Sequence, residues 1–274
     1  MKEKVLFVNQ EIVPYSPESK ISLIGRYLPQ GIQERGKEIR TFMPRFGNIN
    51  ERRNQLHEVI RLSGMNMVIN NTDHPLIIKV ASIQSARMQV YFIDNEDFFK
   101  RKFSLTDEKG KMFPDNDERC IFYARGVLET VKKLRWAPNI IHCHGWFSAL
   151  VPLYVKKAFK EDPIFDNSKV VFSIYDQEFE EKLDPNFIKK IPIDDITTDD
   201  ISVVKNPTYE NLMKLAIQYS DAIILADENI NSNLLSYINQ LNLRVLSHYD
   251  LDNYIDAYAD FYDSIIEKKY IEEF

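Results

Sequence analysis

The chain has 274 residues, of which 44% are hydrophobic and 28% charged, and its formal net charge is −6. This length can hold one large or two modest domains, and the acidic balance without a dense basic tract argues against nucleic-acid binding. No apolar run approaches about 18 residues and the amino-terminal run is too short for a signal peptide, so we expect a cytoplasmic protein without membrane contact.

The first elements predict the opening of a doubly wound parallel sheet. A buried strand over residues 4–9 is followed by a loop over 10–19 that contains prolines. An amphipathic helix over 20–35 comes next, with Gly36 suited to end it, and then a second strand over 38–43. This order is a β-loop-α-β unit.

The next region predicts antiparallel strands. After a polar loop over 46–55, four short strand candidates follow, with few helical signals between them: 56–62, 65–70, 76–83 and 88–94. Such a series favours a hairpin array on the edge of the parallel sheet. A short helix over 96–102 and a loop over 105–115 complete the region.

The central stretch combines a helix, a strand and a second helix. Residues 117–133 have the apolar spacing of an amphipathic helix, which Asn116 or Asp117 is expected to cap. A strand over 139–144 runs from apolar to polar residues, Gly145 allows a sharp turn, and helical spacing resumes over 146–157. Functional sites in open α/β sheets lie at such strand-to-helix transitions.

The last third continues the α/β pattern. A strand over 169–175 precedes an acidic segment over 176–207, which we interpret as a solvated excursion. A helix over 209–219 capped by Thr208, a strand over 221–226, a helix over 228–240 and a strand over 243–247 follow. From Leu251 to the end the spacing predicts a long amphipathic helix.

Together these elements predict an α/β fold with a Rossmann-like, mainly parallel sheet, an antiparallel hairpin edge and helices on both faces. We expect a domain over residues 1–250 and a carboxyl-terminal helix over 251–274 that packs back on it.

Several motifs occur in the order of a known family. They are P-D-N-x-x-R from Pro114, P-N-I-I-H-C-H-G-W over 138–146, the first strand with Q-E-I-V-P over 10–14, M-P-R-F over 43–46 and V-Y-F-I-D over 90–94. The chain thereby resembles the N-terminal catalytic domain of bacterial glycogen synthases and plant starch synthases, which are two-lobed GT-B glycosyltransferases. The resemblance covers about half of a complete synthase, with the second lobe absent. It implies glucose transfer from ADP-glucose to an α-1,4-glucan, with no cofactor beyond that donor.

The chain departs from the family pattern where the donor binds. The family's K-x-G-G-L loop is replaced by S-P-E-S-K-I over 16–21, and the missing glycine pair hinders close approach of the backbone to a phosphate. Lys20 can still reach an anion, although Glu18 opposes it. Gly145 stands in place of an aspartate and Phe147 in place of a histidine. The diphosphate-binding cations of the second lobe are not part of the resemblance.

The resemblance leaves six substrate-binding candidates and assigns no catalytic residue. They are Lys20, Asp115, Asn116, Arg119, His144 and Trp146. Each also has a structural interpretation. His144 is expected to be exposed in the cleft, whereas His142 at a buried strand end is more typical of a satisfied core histidine.

For the other candidates both interpretations stay open. Trp146 suits the core as well as a sugar platform, Asp115 and Asn116 suit a helix cap, and Arg119 can pair with Asp115 or Glu118. The segment from His142 to His144 lacks further ligands nearby in sequence, so we expect no metal site. The two cysteines, at positions 120 and 143, suit buried reduced thiols.

Two functional hypotheses follow. The first is a degenerate, weakly active or inactive lobe in glycogen metabolism, acting as a regulatory or assembly subunit that binds an α-glucan or a protein. The joint loss of the glycine loop, the aspartate and the histidine favours it. The second is a working synthase that completes its cleft with another chain or a second copy, so the expected partners also include a nucleotide sugar and a homo-oligomer. Enzymatic activity is left open by the sequence.

Overall fold

The computed structural model describes residues 2–266 and is built on a ten-stranded sheet. Its strands are Lys4–Asn9 (β1), Glu38–Pro44 (β2), His57–Glu58 (β3), Met65–Ile69 (β4), Thr72–Ile83 (β5), Met88–Asp94 (β6), Ile140–His144 (β7), Lys169–Ile174 (β8), Ala222–Leu225 (β9) and Arg244–Leu246 (β10). Its helices are Lys20–Glu34 (α1), Glu96–Phe99 (α2), Asn116–Leu134 (α3), Val151–Lys156 (α4), Phe187–Lys190 (α5), Tyr209–Gln218 (α6), Ser232–Gln240 (α7) and Tyr254–Ile266 (α8).

The strand order is β10-β9-β8-β7-β1-β2-β6-β5-β3, with β4 paired to β5. The strands from β10 to β6 are parallel, whereas β5 runs antiparallel to β6 and to its other neighbours. This mixed, mostly parallel sheet with an antiparallel edge confirms the predicted fold class. The chain leaves β1 in one direction and returns on its other side at β7. The carboxyl ends of β1 and β7 therefore form a topological switch point, where open α/β sheets place their ligands.

Helices cover both faces of the sheet, as predicted. Alternate residues of β1 show the division, because Leu6 and Val8 lie in the same cluster as α3, α4 and α6, while Val5 and Phe7 pack with α1 and α8. Both faces of the sheet are therefore shielded from water, which explains the continuous apolar sequence of the central strands. Within residues 2–266, no helix combines the length and the apolar character needed to cross a membrane.

Helix α8 closes one face of the sheet through a stripe of tyrosines. Tyr254, Tyr258 and Tyr262 are spaced by four residues and are all buried in the cluster that contains Val5 and Phe7. The division into a domain over 1–250 and a packing helix over 251–274 is our proposal, and this contact supports it. The predicted helix begins three residues late, at Tyr254, and its part beyond residue 266 lies outside the described residues.

The hairpin region differs from the prediction in strand lengths. The strand expected over 56–62 is reduced to His57–Glu58, and the strand expected over 76–83 extends to Thr72–Ile83. The longer strand is possible because β5 pairs with β4 along its first part and with β6 along its second part. The short helix expected over 96–102 ends at Phe99.

Two further helical predictions were also too long at their beginnings. The helix expected over 146–157 is a 3₁₀ turn, Trp146–Ser148, followed by α4 with Pro152 in its first turn, where the missing N–H costs no hydrogen bond. The helix expected from residue 228 begins at Ser232, because the Asn231 side chain caps it by accepting from two backbone N–H groups.

The acidic segment over 176–207 was wrongly interpreted as a solvated excursion. It contains α5 and a 3₁₀ turn, Ser202–Lys205, and it contributes Leu183, Phe187 and Ile201 to the core. Lys190 fastens the segment to α3, since its ammonium lies 2.8 Å from a carboxylate oxygen of Asp117. The side chain of Lys190 is 6% exposed, so this ion pair is screened little by solvent.

The tyrosines of α8 provide a matched test of the packing. The Tyr262 hydroxyl is hydrogen-bonded to His142 Nδ1, whereas the buried Tyr254 hydroxyl has no hydrogen-bond partner within residues 2–266. We expect Tyr262→Phe to lower the free energy of unfolding by about 1–3 kcal/mol, because it leaves a buried histidine nitrogen unpaired. Tyr254→Phe removes no bond and should be neutral or stabilising in urea unfolding. Equal losses of unfolding free energy in Tyr262→Phe and Tyr254→Phe would contradict a stabilising hydrogen bond between Tyr262 and His142.

Candidate functional site

Gln10 joins the two sides of the switch point. Its backbone N–H donates to the carbonyl oxygen of His144 (3.2 Å), and its side-chain oxygen accepts from the backbone N–H of Phe147 (3.1 Å). Gly145 lies between them with φ +82°, and a Cβ there would come within 2.8 Å of that side-chain oxygen. The glycine is therefore required by the close approach of Gln10 as well as by the backbone.

The loop after β1 is held tightly against the start of α1. Ser19 caps the helix in a reciprocal box with Ser22, and its hydroxyl donates to a carboxylate oxygen of Glu11 (3.1 Å). Gly25 allows the loop to approach, since a Cβ there would lie 2.4 Å from the Glu11 carbonyl oxygen. The loop that stands in place of the glycine-rich donor loop is thus closed by side-chain contacts.

Lys20 is engaged by groups that follow two other strands. Its ammonium lies 2.6 Å from Asp227 Oδ1 and 2.9 Å from His248 Nε2. These residues line a depression of about 210 Å³ at the carboxyl edge, and the other titratable residues of its lining, Asp176, Glu228 and Asp250, are all acidic. The surroundings of the lysine therefore favour a cation and oppose a diphosphate.

Glu228, His248 and Asp250 bring three potential ligand atoms within 4.8 Å of one another in the same depression. The two carboxylates are exposed, and the imidazole nitrogen Nε2 already contacts the Lys20 ammonium. A metal ion on this cluster would meet the repulsion of that ammonium, so the geometry alone does not define a metal centre.

His142 and His144 are fully buried side by side, with ring centroids 3.8 Å apart. His142 is satisfied through Ser173 Oγ (2.7 Å) and the Tyr262 hydroxyl, while His144 Nδ1 is 2.8 Å from the Tyr175 hydroxyl. The expected exposure of His144 in the cleft was wrong, because its side chain faces the tyrosine layer beneath α8. Its contact with a ligand stays a prediction.

Burial keeps both histidines neutral. It lowers the pKa of His144 to about 3, and it lowers the pKa of His142 well below its usual value with a contribution from the neighbouring His144. His144 Nε2 is buried without a hydrogen-bond partner within residues 2–266. Neither imidazole can serve as a solvent-exchanging acid or base in this arrangement.

Trp146 lies beneath the acidic segment. It is 5% exposed and makes edge-to-face contacts with Phe147 (centroids 5.3 Å apart) and with Phe179 (5.0 Å). Phe179 comes from the segment that follows β8, so this segment packs against Trp146. Because the indole is only 5% exposed, stacking of a sugar on it would require the side chains around it to move.

Arg119 is enclosed by four phenylalanine rings, whose centroids lie 5.3–5.8 Å from its guanidinium carbon: Phe46, Phe99, Phe113 and Phe147. It donates to the Phe98 carbonyl (2.8 Å) and to the Asn116 side-chain oxygen (2.6 Å). Within residues 2–266 Arg119 forms no direct ion pair with Asp115 or Glu118, so the predicted pairing was wrong as a contact, although Asp115 still interacts with the guanidinium electrostatically. Arg119 is a structural cation–π centre that joins α3 to the loops around it.

Asp115 and Asn116 anchor the loop before α3. Asp115 pairs with Arg101, which lowers the pKa of Asp115 despite the opposing effect of its burial. The Asn116 amide donates to the Leu105 carbonyl (2.8 Å). The expectation that Asn116 or Asp117 caps α3 was wrong, since Asp115 occupies the cap position and its side chain makes no capping bond.

The predicted residues are therefore not gathered around one open cavity. Lys20 lines the carboxyl-edge depression, His144 and Trp146 lie beneath covering elements, and Asp115, Asn116 and Arg119 form an internal framework. Sequence reasoning missed Gln10, Asp227 and His248, which make the main polar contacts at this edge. Their position directly after the first, ninth and tenth strands was the available signal.

Comparison with known proteins places these features in context. A model of the starch synthase catalytic domain matches residues 4–245. The glycogen synthase of Pelodictyon phaeoclathratiforme is 30% identical over 277 residues, which cover 97% of this chain and 56% of that protein. The glycogen synthase of Chlorobium phaeovibrioides is 31% identical over 280 residues, covering 98% and 57%.

A solved structure with a similar fold is the catalytic domain of starch synthase IV from Arabidopsis thaliana bound to ADP and acarbose. Its TM-score is 0.73, and the match covers 91% of this chain and 52% of that one. At 15% identity the likeness is one of fold. The chain spans about half the length of these relatives.

The buried arginine supports a test of the framework. We expect Arg119→Lys to lower the free energy of unfolding by about 2 kcal/mol or more, because an ammonium cannot keep both hydrogen bonds and the planar contacts with the rings. Arg125→Lys on the same helix is the control, since Arg125 makes an exposed bond to the Val68 carbonyl. Urea unfolding measures the free energy of unfolding of both variants. Similar small losses in Arg119→Lys and Arg125→Lys would contradict a structural role for Arg119.

The neutral histidines predict a dependence of stability on pH. As pH falls below 6.5, the unfolded chain protonates His144 while the native chain does not until about pH 3, so the free energy of unfolding falls by about 1.4 kcal/mol per pH unit for this residue. His144→Asn should reduce the slope between pH 6 and pH 4.5 by about that amount. His57→Asn, which changes an exposed histidine in β3, is the control variant. An unaltered slope in His144→Asn would show that His144 is not held neutral.

Proposed function

The chain belongs to the starch synthase catalytic domain family, and we propose that its own crevice does not transfer glucose from ADP-glucose to an α-1,4-glucan. On this proposal the chain is a non-catalytic lobe in glycogen metabolism, a regulatory or assembly subunit that binds an α-glucan or a protein. The related starch synthase IV domain is described as bound to ADP and acarbose, which makes a nucleotide and a glucan the ligands to test.

The observation that carries the proposal is the ion pair of Lys20 with Asp227. A departing diphosphate has to be stabilised by cations or by backbone N–H groups aimed at it. The cation at the start of α1 is already neutralised, and the surrounding lining is acidic. Binding a diphosphate here would require breaking the pair and placing the phosphates near further carboxylates.

The histidine segment supports the same proposal. The resemblance makes His144 a substrate-binding candidate, whereas here His144 is buried against Tyr175, and Phe147 packs beside Arg119. These residues hold the helix-strand-helix framework together, which accounts for their presence without a catalytic role.

A second candidate is a synthase whose cleft is completed by another chain. Val245, Tyr249 and Leu251 are each about two-fifths exposed (41%, 42% and 41%). They follow one another closely in the segment that runs from β10 past His248, beside the Lys20 depression. A partner that covered this surface would be positioned to add cations to the carboxyl edge, as a shared active site requires.

The first experiment measures incorporation of labelled glucose from ADP-glucose into glycogen, at high protein concentration and beside an intact bacterial glycogen synthase. We expect incorporation at the background level. Turnover clearly above that background would overturn the proposal and would support a shared active site, with the oligomeric state as the next measurement.

The role of Asp227 is tested by binding of ADP. Asp227→Asn removes the charge that neutralises Lys20 but keeps an oxygen that can accept from the Asp176 N–H. We expect this variant to bind ADP at least about tenfold more tightly than the wild-type chain in titration calorimetry. Asp252→Asn, at an exposed position, is the control for net charge. Equal gains in the two variants, or no gain in either, would remove the electrostatic basis of the proposal.

A further inference from the structure

A groove of about 510 Å³ lies at the amino edge of the sheet, at the opposite ends of the strands from the crevice. Its walls come from the chain start, the end of α1, the beginning of β2 and the beginning of β6: Lys2, Gln33, Lys37, Glu38, Ile39, Arg40, Arg87, Met88, Gln89 and Tyr91. Its volume is within the range of small-molecule sites, and its lining is unusually rich in cations.

The charge of the groove is opposite to that of the whole chain, whose formal net charge is −6. Lys37 is neutralised by Glu3 and Asp263. Within residues 2–266, Lys2 and Arg87 form no ion pair. Arg40 approaches a carboxylate, that of Glu38, only at 4.0 Å. The groove and its rim therefore hold four cations, Lys2, Lys37, Arg40 and Arg87, against the three carboxylates of Glu3, Glu38 and Asp263, and an anion would neutralise the remaining positive charge.

The Arg40 side chain is positioned by its contact with Trp136. Its guanidinium carbon lies 5.5 Å from the centroid of the Trp136 ring, and the indole N–H of Trp136 donates to Glu38, so the platform beneath the arginine is itself fixed. The Nε atom of Arg40 is buried and has no hydrogen-bond partner within residues 2–266. Because that atom has no accessible surface, a ligand in the groove would meet the terminal nitrogens of the Arg40 side chain, which is 32% exposed.

The end of α1 does not prevent anion binding. Helix carbonyls at a carboxyl terminus repel anions, but here they are already paired. The N–H of Gly36 donates to the Gln33 carbonyl (2.9 Å), the N–H of Lys37 to the Ile32 carbonyl (3.4 Å) and the Arg35 side chain to the Gly31 carbonyl (2.9 Å).

We propose that this groove binds a small phosphorylated compound, with the phosphate between Arg40 and Arg87. Guanidinium groups match the geometry of phosphate oxygens through paired N–H bonds. A phosphate ester carries about −1.5 to −2 charges. It therefore neutralises two or three cations more completely than a ligand with a single carboxylate would. The side chains of Gln33, Gln89 and Tyr91 offer donors and acceptors to a polar body such as a sugar. This site is independent of the proposed function of the crevice.

The test uses pyrophosphate and inorganic phosphate as probes, with acetate as the carboxylate probe, in titration calorimetry at constant ionic strength. Arg87→Asn is the main variant, because asparagine tolerates the positive φ of Arg87 (50°). Arg135→Asn is the matched control. Arg135 is also exposed, has the same φ of 50° and ends helix α3, and it does not line the groove.

We expect saturable binding of pyrophosphate that Arg87→Asn weakens at least about tenfold, while Arg135→Asn leaves it unchanged. Arg40→Gln should weaken it as strongly, and its thermal unfolding is measured first because Arg40 also packs on Trp136. The proposal is overturned if pyrophosphate does not bind, if acetate binds as tightly, or if the two asparagine variants lose affinity equally, since the last result would indicate general electrostatic attraction.

Discussion

The parallel pairing of β1 with β7 is the contact on which the rest of the structure depends. It places the first βα loop and the loop after β7 side by side, and it forces the chain to reverse direction across the sheet. Gln10, which follows β1, then bonds to the end of β7 and to the loop after it, and Gly145 is the residue that lets it approach. The switch point at the carboxyl edge follows from this pairing.

The crevice formed in this way is closed by contacts within the chain. The Lys20 ammonium pairs with Asp227, which follows β9, and Phe179 packs against Trp146. The hydroxyl groups of Tyr262 and Tyr175 form hydrogen bonds with the buried His142 and His144, respectively. These contacts engage Lys20, Trp146 and His144, three of the residues that the sequence predicted to bind a substrate. The residues of the family's motifs pack the helix-strand-helix unit, and most of their polar groups are paired within the chain, with His144 Nε2 as an exception.

The two edges of the sheet differ in electrostatic character. The carboxyl edge surrounds one paired lysine with carboxylates, whereas the amino edge presents Arg40 and Arg87 with little compensation. The usual expectation for an open α/β sheet places anion binding at the carboxyl edge. In this chain the charges favour anion binding at the amino edge. The lysine at the carboxyl edge is already paired, whereas Arg40 and Arg87 lie at the opposite ends of the strands.

Local pattern alone determined most of the fold. The bounds of β1 and β6, the amphipathic face of α3 and the mixed sheet were all predictable, because alternation and helical spacing record which side of an element is buried. The motifs around Pro114 and His142 were sufficient to indicate the family. The tertiary structure decided what those motif residues contact. Lys20 meets His248 across 228 positions of sequence, His144 is enclosed by a layer that α8 completes, and Phe179 reaches Trp146 from a segment that looked solvated. Spacing along a chain carries no record of such partners, because they are brought together only when the sheet order and the packing of distant helices place them in contact.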